Sequence, residues 1–246
     1  MKFILLACFA LYFQPDTILN QYRADYKLII NSYKKHTSIS FSVTYNNFRN
    51  SKIVKADTSL VGKFYMKGQN YDYKMAGTEI MRNGSYYIAV NSNLKTIVVN
   101  DAAKMKGDFM PMSSIDSVIS KIPVVIKYGE HDGGKTGVYK INAENNEKPF
   151  GEMEMVFDKQ SYLIQKIVLF VSNNQIETYY GNQAGNSSVS KPRVDCIYGN
   201  YQFDKVDDYL FSSKRFIEVA GNEFKPAKEY AKYKVVPLIP VHAQSK

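Results

Sequence analysis

Along most of this chain apolar and polar residues alternate with period two. The segment SISFSVTYN, Ser38–Asn46, sets Phe41, Val43 and Tyr45 against Ser and Thr, as a strand does when one face is buried and the other meets water. The pattern predicts further strands over Leu60–Gly68, Tyr71–Met81, Tyr86–Asn91 and Lys95–Asn100. Asn83-Gly84 separates Tyr71–Met81 from Tyr86–Asn91. Asn and Gly adopt positive φ most easily, so the pair predicts a tight type I′ hairpin. β-signals return over Pro123–Glu130, Gly137–Ala143, Gly151–Asp158, Leu163–Val171, Ile176–Tyr180, Arg193–Asp204, Tyr209–Val219 and Glu223–Leu238, with Gly221-Asn222 as another turn.

Two stretches break the alternation. From Thr17 to Lys35, residues Ile18, Tyr22, Tyr26, Ile29, Ile30 and Tyr33 recur at spacings of three and four, which predicts an amphipathic helix capped by Asp16. Ala102–Ile122 carries Met105, Met110, Met112, Ile115, Val118 and Ile119, and Ser113-Ser114 with Asp116 predicts a helix start there. Its methionines suit ordinary core packing, or a flexible lid over a variable apolar ligand. No internal repeat is found, so one domain is expected over residues 17–240, with residues 241–246 as a frayed tail. Many strands and two helical insertions predict an α+β, mainly β fold: a single curved antiparallel sheet, an open half-barrel, with a helical lid.

Composition supports this and narrows the function. The 246 residues include twenty Tyr, fourteen Phe and no Trp, which suits half-buried pleated surfaces. The net charge of +9 is scattered and forms no basic run, so nucleic acid is not expected as a partner; weak attraction to anionic membrane surfaces fits the charge. Residues 1–16 read as a signal or N-terminal segment, because MKFILLACFALYF places one Lys before a short apolar run. Export to a periplasm follows. Leu5-Leu6-Ala7-Cys8 also has the look of a lipoprotein box, and the alternative is a lipid-anchored outer-membrane protein. With Cys8 removed, Cys196 is the only thiol and no intramolecular disulfide can form.

Catalytic chemistry is not visible. His36, His131 and His242 have no metal-ligand spacing, so no metal and no cofactor are expected. Glu130-His131-Asp132 runs straight into Gly133-Gly134 and reads as a polar turn entry. Gly133-Gly-Lys-Thr136 lacks the upstream Gly and the following helix of a phosphate loop. Ser85 lacks a nucleophile-elbow context, and Cys196 has no neighbouring His in sequence. Glu152, Glu154 and Asp207-Asp208 read as solvated charges. An enzyme is not expected.

The order of parts, with YRADYKLIINSYKK leading into SISFSVTYN, then LVGKFYMKGQNYDYKMAGTEIMRNGSYYIAVNSNLKTIVVND and later KPFGEMEMVFDKQSYLIQKIVLFVSN, resembles the LolA-like periplasmic lipoprotein carrier superfamily. The resemblance covers most of Tyr22–Val171 and is one of hydrophobic pattern and turns. It implies a non-enzymatic carrier that holds a lipid or lipoprotein acyl chain in an apolar cavity, with a lipid or acylated protein, and an envelope membrane or lipoprotein, as partners. Residues Asn182–Lys246 depart from the pattern, and neither Arg49 nor Arg82 can be matched to a family arginine. By strand parity, Phe41, Val43, Phe64, Met66, Tyr73, Met75, Ile88, Val90, Ile97 and Val99 are expected to share the concave face and line the cavity. A structural or interaction protein of the cell envelope, with a filled core, is the alternative.

Overall fold

The computed structural model describes residues 15–105, 124–143, 150–171, 191–221 and 223–239. The predicted first helix is present as α1, Pro15–Lys34, with Lys34 in its last turn. Tyr22, Ile29 and Tyr33 are its buried apolar positions, spaced to lie on one stripe.

Six strands follow as a meander: β1 (Ile39–Phe48), β2 (Thr58–Lys67), β3 (Asn70–Met75), β4 (Thr78–Arg82), β5 (Tyr86–Asn91) and β6 (Thr96–Asp101). A second group contains β7 (Val124–His131), β8 (Thr136–Ala143), β9 (Phe150–Asp158), β10 (Ile164–Val171) and β11 (Arg193–Phe203). The chain ends in β12 (Ile217–Ala220), β13 (Glu223–Pro226) and β14 (Lys234–Pro237). One twelve-stranded sheet has the order β14-β6-β5-β4-β3-β2-β1-β11-β10-β9-β8-β7, and β12 pairs with β13 separately. The sheet is curved and does not close into a barrel. The long antiparallel pairing of β1 with β11 joins the two meanders. All its neighbours run antiparallel except β14, which lies parallel to β6.

Three expectations are corrected. Tyr71–Met81 is two strands, because Ala76 (φ 49°) and Gly77 (φ 79°) form a two-residue turn between the Met75–Thr78 pair. Positive φ at both central residues is the geometry expected at Asn83-Gly84. The hairpin from β4 to β5 does form, but neither Asn83 nor Gly84 has positive φ. There the Asn83 side chain accepts from the Ser85 and Tyr86 amides instead. Tyr209–Val219, expected as a strand, is mostly two 3-10 turns, Asp208–Phe211 and Ser213–Arg215. Asp207 caps the first by accepting from the Tyr209 amide, which draws the backbone out of strand geometry. The Met-rich stretch from residue 106 on, Ile176–Tyr180, residues 1–14 and the tail from residue 240 lie outside the described residues.

Each face of the sheet carries its own apolar cluster. Tyr22, Ile29 and Tyr33 of α1 pack with Phe41, Val43, Phe64, Tyr139, Met155, Phe157 and Ile167. On the other face Met81, Ile88, Val90, Ile97 and Val99 pack with Phe216, Ile217, Phe224 and Ile239 from the C-terminal segment. The sheet is thus the middle of three layers over part of its extent.

Candidate functional site

Pairing across the meander decides which side chains share a face, since directly opposed residues of antiparallel strands point the same way. The register runs Phe41–Phe64–Tyr73–Ile80–Ala89–Val98 from β1 to β6. Phe41 and Phe64 stack at 4.9 Å and Phe64 meets Tyr73 at 4.4 Å. Gly62 makes room for this aromatic row: a Cβ there would lie 2.9 Å from the Tyr73 ring. The next row on the same face is Ile39–Met66–Tyr71–Arg82–Tyr87–Asn100.

This face has two halves of different character. Over β7–β11 it is filled. Tyr22 meets Tyr139 edge-on at 5.1 Å, Tyr139 donates to Asp25 at 2.6 Å, and the Tyr33 and Tyr201 hydroxyls are 2.8 Å apart. Tyr22, Tyr139 and Phe157 are fully buried. Over β3–β6, Met75, Ile80, Ala89 and Val98 are only half-buried, and they belong to neither apolar cluster. Together with Met66 and Tyr73 they make an apolar wall, with Arg82 one row away, donating to the Ala102 carbonyl at 3.2 Å. The segment from residue 106 to 123, which joins β6 to β7, lies outside the described residues.

The ten residues expected on one face are therefore divided. Phe41, Val43, Phe64, Met66, Tyr73 and Met75 lie on the α1 side, where the first three are core. Ile88, Val90, Ile97 and Val99 lie on the opposite face, buried beneath the C-terminal segment. The turn at Ala76–Gly77 is the physical reason. Met81 pairs with Ile88, and a strand running unbroken from Tyr71 would carry Met81 on the side of Tyr73; the turn reverses that parity. Ile80, Ala89 and Val98, which the strand-parity expectation omitted, take their places. The available signal was Gly77, read as a strand residue.

The polar chemistry is subdued. Burial pushes the Tyr33 hydroxyl up to about 12, and raises Tyr45, Tyr73 and Tyr198, so these phenols remain neutral donors. Cys196 is buried, and burial pushes its thiol up to about 11, away from a reactive thiolate. Among the described residues no three His, Cys, Asp or Glu side chains converge on a metal position. His36 Nδ1 lies 3.2 Å from Asp204, with its ring stacked on Phe203. Glu130 is held by Lys159 and by the Tyr128 hydroxyl, His131 is exposed, and Asp132 accepts from Thr136 in the turn that follows. Arg49 pairs with Asp57 at 2.9 Å.

A polar group assembled from distant parts of the chain sits on the opposite face. Arg215, from the C-terminal segment, donates to Asp72 at 2.7 Å and to Glu79 and the Leu210 carbonyl, with its guanidinium 4.5 Å from the Phe216 ring centre. Lys74 adds a second cation 3.1 Å from Glu79. Asp72 is fully buried and its Oδ1 has no hydrogen-bond partner among the described residues; burial, opposed by Arg215, pushes its carboxyl up to about 6.

No family model matches the chain, and no curated protein matches it. Solved structures similar to it include an uncharacterized conserved protein from Thermus thermophilus, at 8% identity and a TM-score of 0.47, over 86% of this chain and 98% of that one. A LolA superfamily protein from Nitrosomonas europaea is similar at 7% identity and a TM-score of 0.35, over 78% and 97%. The Mycobacterium tuberculosis lipoprotein LppX is similar at 8% identity and a TM-score of 0.36, over 76% and 98%.

Proposed function

We propose that the protein is a non-enzymatic binding or carrier protein for a lipid or lipoprotein acyl chain. The observation that carries this reading is the half-buried wall of Met66, Tyr73, Met75, Ile80, Ala89 and Val98 on the α1 side of the sheet. A wall of this kind offers an alkyl chain about 0.8 kcal/mol for each methylene removed from water, with no covalent chemistry required. Arg82, one row away, would orient a polar or anionic head group. The N-terminal MKFILLACFALYF supports export to the periplasm, or anchoring there through Cys8.

The test is native mass spectrometry of the protein from its native envelope, with lipid extraction of whatever is released. An acyl species near one per chain is expected. Ile80→Asp should weaken uptake of that species by more than about tenfold while leaving the circular dichroism spectrum unchanged, because the position is half-buried and outside the packed core. The second reading, an envelope docking protein, is favoured by the filled aromatic core under α1. It would be upheld by a protein that carries no lipid and takes up no added phospholipid or acylated peptide.

A further inference from the structure

Antiparallel order places the β1–β2, β3–β4 and β5–β6 connections at one end of the sheet. Two of them project aliphatic side chains into solvent. Val54, in the β1–β2 loop, is 94% exposed and its neighbour Ile53 39%. Leu94, between β5 and β6, is 74% exposed. Leu60 and Val61, near the start of β2, are exposed as well. Lys52, Lys55 and Lys95, all exposed, stand directly beside the projecting aliphatics. The acid of the β1–β2 loop, Asp57, is already paired with Arg49.

The loops are braced. Arg193 donates to the Ser51 carbonyl at 2.7 Å while lying over the Phe48 ring, and the Ser51 amide donates to the Lys191 carbonyl at 2.9 Å. The Ile53 amide donates to the Asn50 carbonyl, and the Asp57 amide to that of Asn47. At the other site the Ser92 amide donates to the Gly77 carbonyl, and the Leu94 amide to the Asn91 side chain. Backbone tied in this way holds its aliphatics out in a set geometry. Two aliphatic tips, about four strand spacings or 19 Å apart along the sheet, are held out at one end, each beside lysine.

We propose that this end of the sheet docks on an anionic bilayer surface, with Val54, Ile53 and Leu94 entering the interface and Lys52, Lys55 and Lys95 meeting the head groups. Aliphatic tips flanked by cations match both parts of such a surface, apolar below and negatively charged above. A folded protein partner would more usually meet aromatic anchors, and residues 49–57 and 92–95 of these two loops carry no aromatic side chain. The docking does not depend on whether the apolar wall holds a ligand.

The chain has no Trp, so a single introduced Trp reports its own surroundings. Full-length Val54→Trp, Leu94→Trp and, as an exposed control outside these loops, Val219→Trp are mixed with phosphatidylcholine vesicles with and without phosphatidylglycerol. Val219 is 56% exposed in β12, so all three begin in water. The expected result is a blue shift at positions 54 and 94 with the anionic vesicles only, and none at 219. In flotation, Lys52→Glu/Lys55→Glu should weaken binding to anionic vesicles by more than about tenfold, from roughly fivefold per lysine lost near such a surface. No shift at 54 or 94, an equal shift at 219, or unaltered flotation of the double variant overturns the proposal. The substituted side chains are all exposed, and an unchanged melting temperature verifies folding in each variant.

Discussion

At the scale of single residues, Arg215 decides how the C-terminal segment is held. It reaches two carboxylates on adjacent strands, Asp72 of β3 and Glu79 of β4, in a nearly dry setting. Removing it leaves both without their main cation, so Arg215→Ala should cost about 3–5 kcal/mol in urea unfolding at neutral pH. A loss below about 1 kcal/mol would mean that Lys74 and water compensate. Asp72 adds a pH dependence whose sign follows from its raised carboxyl. The folded chain holds that proton more tightly than the unfolded chain does. Its contribution to stability is therefore complete below about pH 4 and is lost as pH rises through about 6. Glu79 and Arg215 are the charged groups that act on it, with Lys74 beside Glu79 and the Tyr230 hydroxyl near Glu79 and Arg215. Asp72→Asn should flatten this part of the stability profile, measured by denaturant unfolding at several pH values across that range. None of this was legible beforehand, because Asp72 and Arg215 are 143 residues apart and each resembles an ordinary surface charge.

At the scale of elements, most strands were legible and turn types were not. The alternation located β1, β2, β5 and β6 closely, and α1 followed its apolar spacing. Within the first meander the error lay at Tyr71–Met81, where a weak turn signal, Ala76-Gly77, outcompeted the stronger-looking Asn83-Gly84 for the positive-φ geometry. Local propensity ranks turns only when strand lengths and register leave the choice open, and here Met75–Thr78 pairing fixes both central residues. Ala76 consequently sits at φ 49°, which costs an L-residue with a Cβ more than it costs Asn or Gly. Ala76→Asn is expected to stabilise the protein by about 0.5–1 kcal/mol, seen as a raised melting temperature. Destabilisation instead would indicate that the Ala76 methyl group makes a contact worth more than the backbone strain.

At the scale of the whole molecule, the C-terminal segment covers the second face of the sheet over β4–β6. Phe216, Ile217, Phe224 and Ile239 cover Met81, Ile88, Val90, Ile97 and Val99, while β14 pairs with β6 and leaves it with a neighbour on each side. A chain ending after Asp207 should therefore bind a hydrophobic dye strongly and aggregate at concentrations where the intact chain stays dispersed, by light scattering. A soluble, dye-silent truncation would show that the second face is covered in another way. Sequence by itself determined the β-rich class, the opening helix and the alternation along the individual strands, because these follow from local periodicity and backbone preference. Only the tertiary structure decided which face each strand turned to which layer, since one two-residue turn reverses parity for every strand beyond it. It also decided that Arg215 should meet Asp72 and that lysine-flanked aliphatics should gather at one end, because those are contacts between distant segments that no local pattern encodes.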